Sequence, residues 1–139
     1  MAKVEVLLAG PSPRVLASLL DHLAAMVATQ SSDGRWHQIV DNATTFLETS
    51  GSAMAVYALA TAIDRGWADA ATFAPALRSA WAGLQRAIDA SGVVTGICKG
   101  FGVHDDPESY AAAATSFERS GPGLGAVLRA ALAVRAVDL

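Results

Sequence analysis

Between Ser50 and Gly66 the chain carries a segment with few places to go in a folded protein. Every residue from Ala53 to Ala60 is apolar, and alanines and valine separate Met54, Tyr57, Leu59 and Ile63. A helix from Ala53 to Arg65 is therefore apolar nearly all round, and such a helix has to be covered on several sides by other elements. Ser50 or Ser52 can cap its start, and Gly66 stands in the expected position just past its end. The run falls far short of the ~20 residues a membrane span needs, so it reads as an inner helix.

The neighbouring segments are patterned to cover it. Gly10-Pro11-Ser12-Pro13 interrupts a short, helix-compatible apolar stretch from Met1 to Leu8. Ser12 as N-cap and Pro13 at the first helical position then begin a second helix. In it Leu16, Leu19, Leu20, Leu23, Met26 and Val27 recur at intervals of three and four through about Gln30. After Gly66, Asp69 or Thr72 caps a third helix, in which Pro75 is tolerable as a first-turn residue. Phe73, Leu77, Ala80, Trp81, Leu84 and Ile88 form its buried stripe, Arg78, Gln85, Arg86 and Asp89 face water, and Gly92 stops it.

Val93 to Val103 is β-prone but too punctuated for a long strand. Asp106 before Pro107 fits an N-cap better than half of a catalytic pair with Asp105, because adjacent side chains rarely face each other. Ala111 to Phe117 is ambiguous and compatible with a short helix, and Gly125 to Val134 forms a final apolar helix. The sum is an all-α single domain over residues 1–139, with about four to five helices and short extended loops.

Hydrophobic residues make up 53% of the chain and charged ones 17%, a balance that predicts exposed apolar surface and self-association. Net charge is −3 with the basic residues scattered, which does not fit a nucleic-acid binder, and no stretch suits a membrane. Glu5 inside the first apolar run and the lack of a cleavage site argue against a secretory signal. Cys98 is the sole cysteine, excludes an internal disulfide and reads as a small buried hydrophobe, so the expected compartment is the cytoplasm. The three histidines and Cys98 have no recognised metal-ligand spacing, and no cofactor is expected.

The chemistry gathers between Ser32 and Met54. An aromatic, a histidine, a glutamine, a carboxylate and several hydroxyls fall within this span, just ahead of the inner helix. Trp36 can stack on a sugar face and Gln38 offers donor and acceptors to hydroxyls. Each residue also has a structural reading. Trp36 can belong to the core, His37 can satisfy a backbone carbonyl, and Glu48 can cap the following helix.

Trp36-His37-Gln38-Ile39-Val40-Asp41 followed by Leu47-Glu48-Thr49-Ser50-Gly51-Ser52-Ala53-Met54 resembles the second half of the unsaturated rhamnogalacturonyl hydrolases and unsaturated glucuronyl hydrolases, glycoside hydrolase families 105 and 88. Tyr57-Ala58-Leu59-Ala60, Gly66-Trp67, Ala80-Trp81-Ala82-Gly83-Leu84, Thr95-Gly96-Ile97-Cys98 and Gly123-Leu124-Gly125-Ala126 follow in matching order.

The resemblance implies part of an (α/α)6 toroid, about the last two fifths of a family member. It also implies an activity: hydration of the C4–C5 double bond of an unsaturated uronyl sugar, as in pectin degradation, by a carboxylic acid and a water. The family's catalytic aspartate has no counterpart here, so no catalytic residue is expected and the isolated chain is expected to be inactive. Only pocket-wall roles carry over. Trp36 is a stacking platform, His37 and Gln38 are hydrogen-bonding candidates, and Glu48 and Ser50 position them. The expected partners are an unsaturated oligosaccharide and either a second copy of the chain or a complementing N-terminal-half chain. The alternative is a non-catalytic, self-associating helical module.

Overall fold

The structure, a computed structural model, describes residues 10–99, 102–112, 115–118 and 121–137. Five helices occur among the described residues: α1 (Pro13–Ala28), α2 (Thr49–Asp64), α3 (Ala70–Arg86), α4 (Pro107–Ala111) and α5 (Pro122–Val134). Two short antiparallel strand pairs accompany them. One pairs β1 (Trp36–His37) with β2 (Leu47–Glu48), and the other pairs β3 (Val94–Cys98) with β4 (Thr115–Glu118). The expected Met1–Leu8 stretch lies outside the described residues.

α2 is the inner helix. Ala53, Val56, Leu59 and Ala60 are buried on it, and it packs most extensively on α5, then on α3. Leu77, Ala80 and Leu84 of α3, Val127 and Ala130 of α5, Val94 and Ile97 of β3, and Leu23 of α1 complete one core. α3 has the expected stripe, with Phe73, Leu77, Ala80 and Leu84 buried and Trp81 half-buried, while Ile88, also half-buried, lies beyond its end. On α1 only Leu23 is fully buried, so its stripe is just partly covered.

Several boundaries differ from the sequence reading, each for a local reason. α2 starts at Thr49 because Glu48, not Ser50 or Ser52, caps it, its carboxylate accepting from the Ser50 and Gly51 amides. Asp69 caps α3, whose start at Ala70 leaves Pro75 beyond the first turn. The proline removes one backbone donor there, and the helix continues through it. α3 ends at Arg86. Gly92, with φ +81°, instead closes the turn in which its amide donates to the Asp89 carbonyl. α1 ends at Ala28 rather than Gln30, and Ser12 occupies its N-cap without a side-chain bond. α5 starts at Pro122, before Gly125. Ala111 to Phe117 read as helix-compatible, but Thr115–Glu118 forms a strand because β3 offers it a partner. Asp106 does cap a helix, α4, by accepting from the Ser109 amide at 2.7 Å.

Candidate functional site

The loop from α1 to α2 and the β3 segment meet at the N-terminus of α2. Gly34, at φ +92°, lets the loop lie on α3. A Cβ there would come within 2.1 Å of the Ser79 carbonyl oxygen. Asp33 and Arg35 tie the loop down, with the Arg35 Nε 2.6 Å from the Asp33 carboxylate and the Arg86 Nε at 3.3 Å from it. Partial burial pushes the Asp33 carboxyl up, but hydrogen bonds and charge from Arg35 and Arg86 outweigh burial and hold it below the usual carboxylate range. Arg35 also donates to Thr49 Oγ1 at 3.2 Å, and Thr49 donates to the Thr95 carbonyl at 2.6 Å, linking loop, helix and β3. Gly96, at φ +71°, permits that approach, since a Cβ would meet Thr49 Oγ1 at 3.0 Å and the Leu47 carbonyl at 3.1 Å.

On this frame the structure brings most of the expected residues together. Trp36, His37, Gln38 and Glu48 line a small cavity of about 140 Å³ with Met26, Val40, Gly51 and Ser52. Ser50 does not line it. Its hydroxyl donates to the Glu48 carboxylate at 2.7 Å, a supporting contact.

Trp36 lines this cavity from the core, at 2% exposure. Its indole N–H donates to the Met26 carbonyl at 2.6 Å, and its backbone amide donates to Ser52 Oγ at 2.9 Å. Glu48 is a structural carboxylate. It accepts from the Ser50 amide and hydroxyl, the Gly51 amide and, at 3.1 Å, the Cys98 amide. His37 Nδ1 lies 2.5 Å from the Thr45 carbonyl. A carbonyl can only accept, so Nδ1 carries a proton there.

Gln38 is the exception to this satisfied network. Its backbone amide donates to the Phe46 carbonyl, while its side-chain Oε1 is buried with no partner among the described residues. Buried polar atoms are rarely left so. Ser31 Oγ, across the α1–β1 turn, is in the same condition. Sequence reasoning passed over Ser31, whose only signal was its place in a turn. Among the described residues no group of three or more histidine, cysteine or acidic side chains could hold a metal ion, and no helix is long and apolar enough to cross a membrane.

Residues 11–136 match the family model described as Glycosyl Hydrolase Family 88. No curated protein matches the chain. Among solved structures it is similar to a possible member of the GH105 family from Salmonella enterica serovar Paratyphi A, with 22% identity and a TM-score of 0.81 over 94% of this chain and 35% of that one. A glycoside hydrolase of family 105 from C. acetobutylicum gives 22% and 0.78 over 89% and 38%, and a glycosyl hydrolase of family 88 from Bacteroides vulgatus gives 24% and 0.70 over 88% and 35%. These likenesses establish the fold as part of an (α/α)6 toroid. The chain spans about a third of the length of the structures it matches.

Proposed function

The chain belongs to Glycosyl Hydrolase Family 88, and from that membership we propose that it forms one wall of a pocket for unsaturated uronyl oligosaccharides. The single observation that carries this reading is the cavity of about 140 Å³ at the start of α2, lined by Trp36, His37, Gln38 and Glu48 and large enough for a few water molecules. Gln38 forms part of the wall of that cavity, and the Glu48 cap holds the start of α2 in place beside it.

The reaction is hydration of the C4–C5 double bond. A carboxylic acid protonates one carbon, water adds to the other, and the resulting hemiketal collapses to release the next sugar. Glu48 is a poor candidate for that acid because both its oxygens already accept protein hydrogen bonds. The cavity lining carries no lysine or arginine to meet a uronate. In this reading the acid and the carboxylate-binding cation are supplied by other helices of a toroid.

Loss of the absorbance of the conjugated bond in an unsaturated uronyl disaccharide tests this. The expected result is no turnover by the chain alone and turnover once it is co-expressed with the N-terminal portion of a family member. Turnover by the isolated chain would overturn the division of labour. An assembled but inactive complex would overturn the substrate.

A second reading, a non-catalytic helical module that associates with itself, is favoured by one feature. Met54 and Leu132 are 66% and 67% exposed on α2 and α5, beside Tyr57 and Leu128. Sedimentation of the isolated chain separates the two readings, since this one requires a stable homodimer.

A further inference from the structure

α2 and α5 run in the same direction along one face of the molecule. Met54 shares a groove with Gly125 and Ala126 near their starts, Asp64 shares a second with Leu132 and Ala133 near their ends, and Tyr57 and Arg129 line both. Tyr57 and Leu132 are exposed apolar groups there, and the second groove, of about 350 Å³, carries three charges, Asp64, Arg65 and Arg129. We infer that this face is a contact between two copies of the chain, related by a two-fold axis level with Thr61 and Leu132, with Arg129 of each copy paired to Asp64 of the other. The inference rests on the self-associating reading above and adds which residues meet.

The charges on the face are unmatched within one copy. Arg129 is exposed and has no ion pair or hydrogen bond among the described residues. Asp64 reaches only the adjacent Arg65, at 3.8 Å, and both side chains are well exposed. An ion pair that long and that wet contributes little, so the Asp64 carboxylate is open to a better partner.

Their placement is self-complementary. Arg129 lies one turn before Leu132 and Asp64 one turn after Thr61, each roughly 4.5 Å along its helix. A two-fold axis across the helices reverses their direction, so a group one turn before the axis in one copy meets a group one turn after it in the other. Arg129 therefore meets Asp64, and the pair forms twice. Tyr57, a turn before Thr61, comes opposite Arg65, a turn after it, where a guanidinium can lie on the ring. Leu132 falls at the axis and packs on its own copy, removing the exposed apolar strip from water. A foreign partner needs only an acid to match Arg129. A second copy matches Arg129 and Asp64 at once, and its antiparallel helices also oppose their dipoles.

The test is sedimentation velocity of the full chain and of two charge reversals at exposed positions, Arg129→Glu and Asp64→Arg, alone and mixed in equal amounts. The natural chain is expected to be a dimer at concentrations on the order of tens of micromolar. Each reversal alone sets like charges opposite each other twice and should weaken dimerisation at least about tenfold. The mixture brings opposite charges back to both contacts, so it should dimerise within about threefold of the natural chain, with one copy of each variant per dimer. A double variant with both reversals should dimerise by itself. Melts followed by circular dichroism should match the natural chain throughout, because both side chains are exposed.

A monomeric natural chain would end the self-associating reading and this contact with it. A dimer indifferent to both reversals leaves that reading standing and overturns the contact on α2 and α5. Weakening by each reversal without rescue in the mixture or the double variant overturns the pairing of Arg129 with Asp64.

Discussion

The carboxylate of Glu48, at the start of α2, accepts the backbone N–H of Cys98, on β3, at 3.1 Å. The same carboxylate caps the helix by accepting from the Ser50 and Gly51 amides, so one side chain joins the first turn of the inner helix to the second strand pair. Losing an N-cap costs ~1 kcal/mol, and leaving a part-buried amide unpaired adds ~1 to 2 more. Glu48→Ala is therefore expected to lower unfolding stability by about 2 to 3 kcal/mol, seen as a lower urea midpoint at unchanged slope. Glu48→Gln keeps an acceptor oxygen and should lose about half as much. Equal losses would mean that the contact to Cys98 depends on charge alone.

Two glycines with positive φ should respond unequally to alanine. Gly34 has no room, since its Cβ would stand 2.1 Å from a backbone oxygen of α3 that cannot swing aside. Gly66, at φ +67°, meets nothing within 4 Å. Gly66→Ala should cost only the ~1 kcal/mol of holding an alanine in the left-handed region. Gly34→Ala should cost ~3 kcal/mol or more, with the clash added. Thermal melts of the two variants check the contrast, and similar losses would mean that the loop can lift off Ser79.

That contrast also marks what the sequence could convey. The inner helix, the stripe of α3, the stop at Gly66 and the Asp106 cap follow from spacing and local chemistry, which act within a few residues. β4 did not follow in the same way, and the Glu48 cap entered only as an alternative to Ser50 or Ser52. Residues 115–118 become a strand only when β3 lies beside them, and glutamate is a less usual cap than the serines that follow it. At the candidate site, the structural alternatives for His37 and Glu48, a carbonyl contact and a helix cap, are the contacts observed. The unpartnered oxygens of Gln38 and Ser31 are set by contacts across the fold, where periodicity carries no information.

Asp33 makes the loop sensitive to acid. Its folded carboxyl titrates below its unfolded value of about 3.9, so the stabilisation it gives is present above that pH and is lost as pH falls through the folded value. Asp33→Asn should lower stability at pH 7 and flatten the decline of melting temperature below pH 4. A variant with the same acid limb as the natural chain would show that Arg35 and Arg86 hold the loop without that charge.

The apolar surface shared by α2 and α5 should govern association. Met54, Tyr57, Gly125, Ala126 and Arg129 line a groove of about 420 Å³, and Leu128 and Leu132 are exposed on the same helix, α5. Exposed apolar area of this kind favours contact with another helical surface. Met54→Lys with Leu132→Lys should shift the sedimentation of the isolated chain toward monomer and prevent its capture of a complementing N-terminal portion, while the core residues Val56 and Leu59 keep the fold. Unchanged sedimentation and unchanged capture would place the contact on another face.

Trp36 offers the sharpest separation between a packing role and a ligand-stacking one. Its ring is enclosed with Leu23 and Val56 in the core cluster, and its indole donates to the Met26 carbonyl. That carbonyl also accepts from the Thr29 amide at 3.1 Å, so Trp36→Phe removes a hydrogen bond without orphaning the acceptor. The expected loss is ~1 to 2 kcal/mol, from one bond and a modest volume change, whereas Trp36→Ala should cost ~3 to 5 kcal/mol through the cavity it leaves. A stacking platform behaves in the opposite way, losing saccharide binding while stability stays near that of the natural chain. Urea unfolding and a saccharide titration on the same Trp36→Phe sample therefore distinguish the roles. Full stability with abolished binding would make this tryptophan a stacking platform.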